Sequence, residues 1–164
     1  MITRLICAVG FVLIFTVNII AKVVYCPEIL TPPQISGKLD DSSWLKEAAV
    51  IDSFILLGKN FIFNLDLTVA QEKTVAYLLC DKNNLYLAFR CAESRMDNLV
   101  LSAVKKDDPV WKDDAVEVFL SPMRESTTYY HFIVNPDGVT YDEKIMDVKW
   151  DGEWQVKTSK NPFG

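Results

Sequence analysis

The chain has 164 residues, of which half are apolar and 24% are charged, with 17 basic and 22 acidic side chains. This length allows one domain with its own hydrophobic core, and the composition excludes a disordered or low-complexity chain. The net charge of −5 argues against a nucleic-acid partner, because binding to nucleic acid requires a basic surface. The single histidine excludes metal sites that need two histidine ligands.

The first 21 residues have the pattern of a secretory signal peptide. Arg4 is their only charged residue, and an apolar run extends from Leu5 to Ala21. A short positive segment, an apolar segment and a small residue are typical of a signal that is removed on export. We therefore predict a signal peptide at 1–21 and a secreted or periplasmic chain with no membrane contact after cleavage. A retained N-terminal anchor and a lipoprotein signal are lesser alternatives.

Signal removal would leave three cysteines, Cys26, Cys80 and Cys91. Cys80 and Cys91 fall at opposite ends of a predicted hairpin, roughly 20 Å apart at the usual rise per strand residue. This separation is too large for a disulfide. A Cys26–Cys91 disulfide stays open, and unpaired buried thiols are the simpler interpretation.

After an N-terminal segment at 22–34, the chain predicts one short helix and then strands. Asp40, Asp41 and Ser42 supply N-cap chemistry for a helix at 42–48. The runs at 74–80 and 84–91 are rich in β-branched, aromatic and leucine residues and flank a polar turn. This pattern predicts a β-hairpin.

The second half of the chain predicts more strands. They lie at 115–121 and 128–135, and a strand at 139–144 returns after a Pro-Asp-Gly turn. Residues 154–158 also alternate, whereas 95–104 is a possible second helix. We therefore predict an all-β fold for 35–164, an immunoglobulin- or jelly-roll-like antiparallel β-sandwich with one short N-terminal helix. Because no closing element follows the last strand, we expect the sandwich to be incomplete at its C-terminal end.

Four phrases in this chain resemble motifs of family 9 carbohydrate-binding modules, in the family's order. They are ISGKLDDSSW at 35–44, CDKNNLYLAFRCAE at 80–93, WKDDAVEVFLSP at 111–122 and YYHFIVNPDGVTYD at 129–142. With similar spacing, the resemblance covers about 35–158. It implies a β-sandwich related to DOMON-like domains, which occurs in secreted polysaccharide-degrading proteins and binds the ends of sugar chains.

The resemblance also implies roles for individual residues. Trp111 matches one of two tryptophans that clamp a sugar ring, and Asp114 and Glu117 match the acidic positions beside it. Glu117 is implied to accept hydrogen bonds from sugar hydroxyls. The second clamping tryptophan and the closing segment have no counterpart here, and Ile133 replaces the arginine of the binding strand. Metal-binding members carry structural calcium, so calcium is the one cofactor that the resemblance suggests, with no ligands assigned.

The residues around Trp111 support sugar binding on chemical grounds. Residues 105–117 contain five carboxylates and a tryptophan. An exposed indole stacks on the apolar C–H face of a sugar, and carboxylates accept hydrogen bonds from hydroxyls. Without the resemblance, a packed Trp111 and a solvated acidic run are the favoured interpretation of the pattern. A further hypothesis is a calcium site built from four of the acids, although their spacing fits no known calcium loop: Asp107, Asp108, Asp113 and Asp114.

We therefore predict a secreted, non-catalytic module that binds a polysaccharide or oligosaccharide, with a catalytic domain of a longer parent protein as a further partner. One alternative is a haem or redox domain with His131, Met123 or Met146 as an axial ligand. A structural domain of an exported complex and a fragment of a glycoside hydrolase are two more. The hydrolase hypothesis rests on Asp113, Asp114 and Glu117 as paired acids.

A last group of residues has simpler interpretations. His131 is most simply a structural strand residue, and Trp44 is predicted to lie in the core. Trp150 and Trp154 fit an aromatic platform or ordinary packing equally well.

Overall fold

The computed structural model describes residues 23–54, 72–122 and 127–161. Within these ranges, one α-helix, six strands and two short 3₁₀ turns form the regular structure. They are α1 (Ser42–Lys46), β1 (Ala49–Ile51), β2 (Thr74–Cys80), β3 (Leu85–Cys91), β4 (Val116–Leu120), β5 (Tyr130–Val134) and β6 (Thr140–Lys144), with 3₁₀ turns at Met96–Asn98 and Val110–Lys112. The all-β prediction with one short N-terminal helix is thus confirmed. In these ranges no helix is long and apolar enough to cross a membrane. The predicted signal peptide and Met123 lie outside the described residues.

The strands form two antiparallel sheets of three strands each. Sheet 1 has the order β1-β2-β3, and sheet 2 has the order β4-β5-β6. In sheet 1, Thr74 pairs with Cys91 and Cys80 pairs with Leu85, so the predicted hairpin is confirmed and Cys80 and Cys91 lie at opposite ends. The sandwich arrangement of the two sheets stays a prediction. An open cleft of about 1610 Å³ lies between them, lined by residues of β3, β4, β5 and the 153–161 segment.

Sheet 1 has an apolar core that the short helix completes. The side chain of Asp41 accepts a hydrogen bond from the backbone N–H of Ser43, which is the predicted N-cap. The helix that begins there buries Trp44 against Ile29 and Leu79. The prediction that Trp44 lies in the core is therefore confirmed.

Sheet 2 has a separate core, covered by the 99–115 loop. Val110 and Ala103 of this loop pack on Ile133 and Tyr141 of the sheet. Ile133, at the position where the resemblance implies an arginine, is thus a core residue. The loop fixes the position of the predicted site, because Trp111 follows the fully buried Val110.

Two sequence expectations need correction. The 95–104 segment forms only the 3₁₀ turn Met96–Asn98. The backbone N–H groups of Val100 and Ser102 instead donate to acidic side chains of the same loop, so they form no helical hydrogen bonds. Residues 154–158 show the expected alternation of half-buried and exposed side chains but belong to no strand in the described structure.

Candidate binding face on sheet 2

The candidate site lies on one face of sheet 2. We call five residues of this sheet face the polar face. In the strand register, Phe119 lies opposite His131, and His131 lies opposite Glu143. Residues two apart in a strand share a face, so Glu117 and Tyr141 join this group. The polar face consists of Glu117, Phe119, His131, Tyr141 and Glu143.

The imidazole of His131 lies between two carboxylates. Its Nε2 is 2.9 Å from Oε2 of Glu117, and its Nδ1 is 3.5 Å from Oε1 of Glu143. The ring of Phe119 stacks on the imidazole with centroids 3.8 Å apart, and only 8% of His131 is exposed. The structural role predicted for His131 is consistent with this burial, since burial of a polar ring is tolerated when it is hydrogen-bonded.

The network extends from Glu143 to Tyr141. The phenol of Tyr141 donates a hydrogen bond of 2.8 Å to Oε2 of Glu143. Burial, together with this hydrogen bond and the charge of Glu143, raises the pKa of Tyr141 to about 12. The phenol therefore stays protonated at any physiological pH and acts as a fixed donor.

Trp111 lies at the border of this face and is half-exposed, at 50%. Its ring meets the ring of Tyr141 edge-on, with centroids 5.1 Å apart and an interplanar angle of 73°. The neighbouring Val110 anchors the turn in the core. The indole is thus held in place by its neighbours while a large part of it remains open to solvent.

Glu117 is the second predicted site residue that the structure places here. Its side chain is 41% exposed, compared with 13% for Glu143. A contiguous set of contacts runs from Trp111 through Tyr141, Glu143 and His131 to Glu117. Trp111 and Glu117 therefore belong to one surface, although they are not in direct contact in this network.

Asp114 has a different position. Its Oδ2 accepts a 2.7 Å hydrogen bond from the N–H of Val100, and its own N–H donates to the carbonyl of Val100. Asp114 also lines the cleft between the sheets, unlike Trp111 and Glu117. Its carboxylate braces the loop, so the structure does not bring it together with the other two predicted site residues.

Asp113 is a further brace in the loop. It accepts hydrogen bonds from the N–H and hydroxyl of Ser102, from the N–H of Ala103 and from the side chain of Asn135. These hydrogen bonds, the Ser102 hydroxyl above all, hold the pKa of Asp113 well below its usual range. Asn135 is buried and also accepts from Asp137 and Val139, so it ties the loop to the turn between β5 and β6.

Three of the four acids predicted as calcium ligands accept hydrogen bonds from backbone N–H groups of the 99–115 loop. Asp108 accepts hydrogen bonds from the N–H groups of Val104 and Lys105, as Asp113 and Asp114 do from other residues of the loop. Within 23–54, 72–122 and 127–161, no group of three or more His, Cys, Asp or Glu side chains is arranged to hold a metal ion. The calcium site stays a prediction.

The sequence interpretation missed Tyr141 and Glu143. Both lie in the predicted 139–144 strand, and their spacing of two placed them on one face. Only the register of β6 against β5 puts that face beside His131, and a single sequence does not contain this register.

The tryptophans Trp150 and Trp154 both pack on Phe132, with ring-centroid distances of 6.0 Å for Trp150 and 5.2 Å for Trp154.

Compared with known protein families, with curated proteins and with solved structures, the chain has no match. Function is therefore inferred from the polar face, Trp111 and the sequence phrases.

Proposed function

We propose that this chain is a secreted, non-catalytic carbohydrate-binding domain that takes a polysaccharide or oligosaccharide at the polar face of sheet 2. The observation that carries the proposal is the half-exposed Trp111, held edge-on against Tyr141 at the border of a face with an accessible carboxylate. A pre-positioned indole loses little conformational entropy when a sugar ring stacks on it.

The two predicted contact residues have complementary tasks. Trp111 offers its ring to the apolar face of the sugar, and Glu117 accepts hydrogen bonds from hydroxyl groups. His131 positions Glu117 through the 2.9 Å contact with its carboxylate. Asp114 contributes indirectly, because it holds the loop that carries Trp111.

The arrangement favours binding over glycoside hydrolysis. A glycosidase needs two carboxylates on either side of the scissile bond. Here the imidazole of His131 fills the space between Glu117 and Glu143, where a substrate would have to lie. The predicted acid Asp113 accepts hydrogen bonds from its own loop and from Asn135. A catalytic role would therefore belong to another domain of a longer parent protein.

A haem or redox domain and a purely structural domain receive less support from the described residues. Both nitrogens of His131 face carboxylates, so an iron ligand role would displace one of these contacts. A purely structural domain is favoured by a buried Trp111, whereas the indole is half-exposed.

Trp111→Ala tests the proposal directly. The full chain is screened against soluble xylan, cello-oligosaccharides and an array of plant and host glycans, and the affinity for any ligand found is measured by calorimetry. We expect the variant to bind at least about tenfold more weakly, which corresponds to about 1.4 kcal/mol. Tyr25→Ala removes another exposed aromatic ring, far from sheet 2 in sequence, and should leave the affinity unchanged. Absence of glycan binding by the unmodified chain, or unchanged affinity in Trp111→Ala, would contradict the proposal.

Glu117→Gln tests the acidic contact separately. It keeps the shape of the side chain but removes the charge that strengthens hydrogen bonds from sugar hydroxyls, so we expect affinity to fall about 3–10-fold. Glu47→Gln is the matched control, since Glu47 is an exposed acid at the end of α1. Equal affinities for the two variants would assign sugar binding to Trp111 without Glu117.

A further inference from the structure

The N-terminal segment runs beside the end of β2 that carries Cys80. The N–H of Ile29 donates to the carbonyl of Cys80 at 2.8 Å, and the N–H of Cys80 donates to the carbonyl of Pro27 at 2.9 Å. Glu28 and Cys80 thereby form a parallel β-bridge. Ile29 is buried in the core of sheet 1, which holds the segment in this place.

This pairing places the thiol of Cys80 against the backbone of Cys26. The Sγ of Cys80 lies 3.4 Å from the carbonyl oxygen of Pro27 and 3.6 Å from that of Cys26. The Cys80 thiol thus contacts the backbone of Cys26 itself, so the two cysteine side chains start from neighbouring backbone positions. Cys91 lies at the other end of the hairpin, opposite Thr74.

We propose that Cys26 and Cys80 form a disulfide bond that fixes the N-terminal segment to the end of β2. Of the pairings considered from the sequence, Cys80–Cys91 is excluded by the hairpin register, and Cys26–Cys91 would compete with the observed contact. The remaining cysteine of the exported chain, Cys91, is then the unpaired thiol. The proposal is independent of sugar binding, and an oxidising compartment outside the cytosol would preserve the bond.

Glutathione disulfide is a suitable oxidant for the reaction. The Cys80 thiolate attacks one sulfur of glutathione disulfide and releases one glutathione thiolate, which takes up the proton lost by Cys80. The Cys26 thiolate then attacks the Sγ of Cys80, forms the protein disulfide and releases the second glutathione with the second proton. Two cysteine thiols are oxidised, and one glutathione disulfide is reduced to two thiols. Burial, above all, and the neighbouring Cys80 thiol raise the pKa of Cys26 to about 11. The balance of the reaction is the same whichever of the two thiolates attacks first.

The test treats the full folded chain with glutathione disulfide or with dithiothreitol, blocks free thiols with iodoacetamide and maps the digested peptides by mass spectrometry. We expect the oxidised sample to contain linked peptides of Cys26 and Cys80, lighter by two hydrogen atoms, with Cys91 alkylated. Cys91→Ser should keep the linked peptides, and Cys26→Ser should lose them. Alkylated Cys26 and Cys80 after oxidation, or a link from either of them to Cys91, would overturn the proposal.

Thermal unfolding provides a second measurement on the same samples. The oxidised unmodified chain should unfold at a higher midpoint than the reduced chain, by several degrees, because the bond restricts the unfolded chain. The difference should disappear in Cys26→Ser. Equal midpoints for the oxidised and reduced unmodified chain would contradict a bond that fixes the segment.

Discussion

The two sheets have the same number of strands but bury different chemistry. Sheet 1 packs apolar side chains such as Leu79 and Trp44 into its core. In the described part of the chain, all three buried polar or charged residues lie in or beside sheet 2: His131, Asn135 and Asp142. Because a buried polar group costs free energy unless its hydrogen bonds are made, a sheet that keeps several of them is more demanding to fold than an apolar one.

The two sheets also differ in how their buried side chains relate to the exposed candidate site. The buried side chains of sheet 1 are explained by their contribution to stability, since that contribution requires only shape and apolar surface. In sheet 2, Asn135 positions the turn and the loop, and His131 holds Glu117 in a fixed place. The buried polar residues of sheet 2 are thus connected to its exposed Trp111 and Glu117. We therefore expect mutations in sheet 1 to lower stability alone, and mutations in sheet 2 to lower sugar affinity as well.

Leu79→Ala should have the largest effect on stability. Leu79 is fully buried in sheet 1, and its truncation leaves a cavity, so we expect a loss of about 2–5 kcal/mol in the free energy of unfolding. Urea denaturation measures the loss. The glycan affinity of the folded chain should not change. A large loss of affinity in the folded variant would show that the two sheets are not separate units.

His131→Leu should have an intermediate effect, in sheet 2. It removes the partner of Glu117 and of Glu143, and leaving an oxygen of the largely buried Glu143 unpaired costs about 1–3 kcal/mol. Urea denaturation and calorimetry should show lower stability together with weaker sugar binding, because Glu117 loses its orientation. His131→Gln is the matched control, since its side-chain amide can still donate a hydrogen bond to a neighbouring carboxylate. Unchanged binding in His131→Leu would contradict the positioning role.

Asp81→Asn should have the smallest effect, in the turn of sheet 1. The hydroxyl of Tyr86 donates to Asp81 at 2.6 Å and, with backbone N–H groups of the turn, lowers the pKa of Asp81 to about 2. A lowered native pKa stabilises the folded chain above about pH 4, and this contribution is lost as the pH falls toward 2. The variant should melt only slightly lower at pH 7, because solvent screens this carboxylate, with a smaller gap at pH 2. Glu47→Gln, which also removes one negative charge from an exposed position, controls for a simple charge change, and an equal gap at both pH values would contradict the assignment.

Local chemistry is what the sequence predicts well. Asp41 caps α1, Asp81 closes the hairpin turn and Asn135 organises the Pro-Asp-Gly turn, and each acts on residues only a few positions away. Such contacts depend on residue type and spacing, which a sequence contains. Parts of the phrases that resemble family 9 modules are explained by these same caps and turns.

Contacts between distant residues were predicted less well. The resemblance implies a sugar contact for Asp114, and the sequence does not predict the hydrogen bond that its carboxylate accepts from the N–H of Val100. Glu143 joins the site only through the pairing of β6 with β5. The contact of Cys26 with Cys80 depends on where the N-terminal segment packs. Pairing and packing of this kind are set by the whole fold.

Gly37 has a consequence for how the two sheets are joined. Its φ is 79°, and a Cβ at this position would lie 2.9 Å from the backbone of Thr158. Ser159 donates to the carbonyl of Gly37, and Lys160 pairs with Asp137 in the turn between β5 and β6. Residues 158–160 therefore touch the turn before α1 and a turn of sheet 2 at once. Because the two sheets have separate cores, a methyl group added at position 37 would displace residues 158–160. This displacement would change the position of one sheet relative to the other.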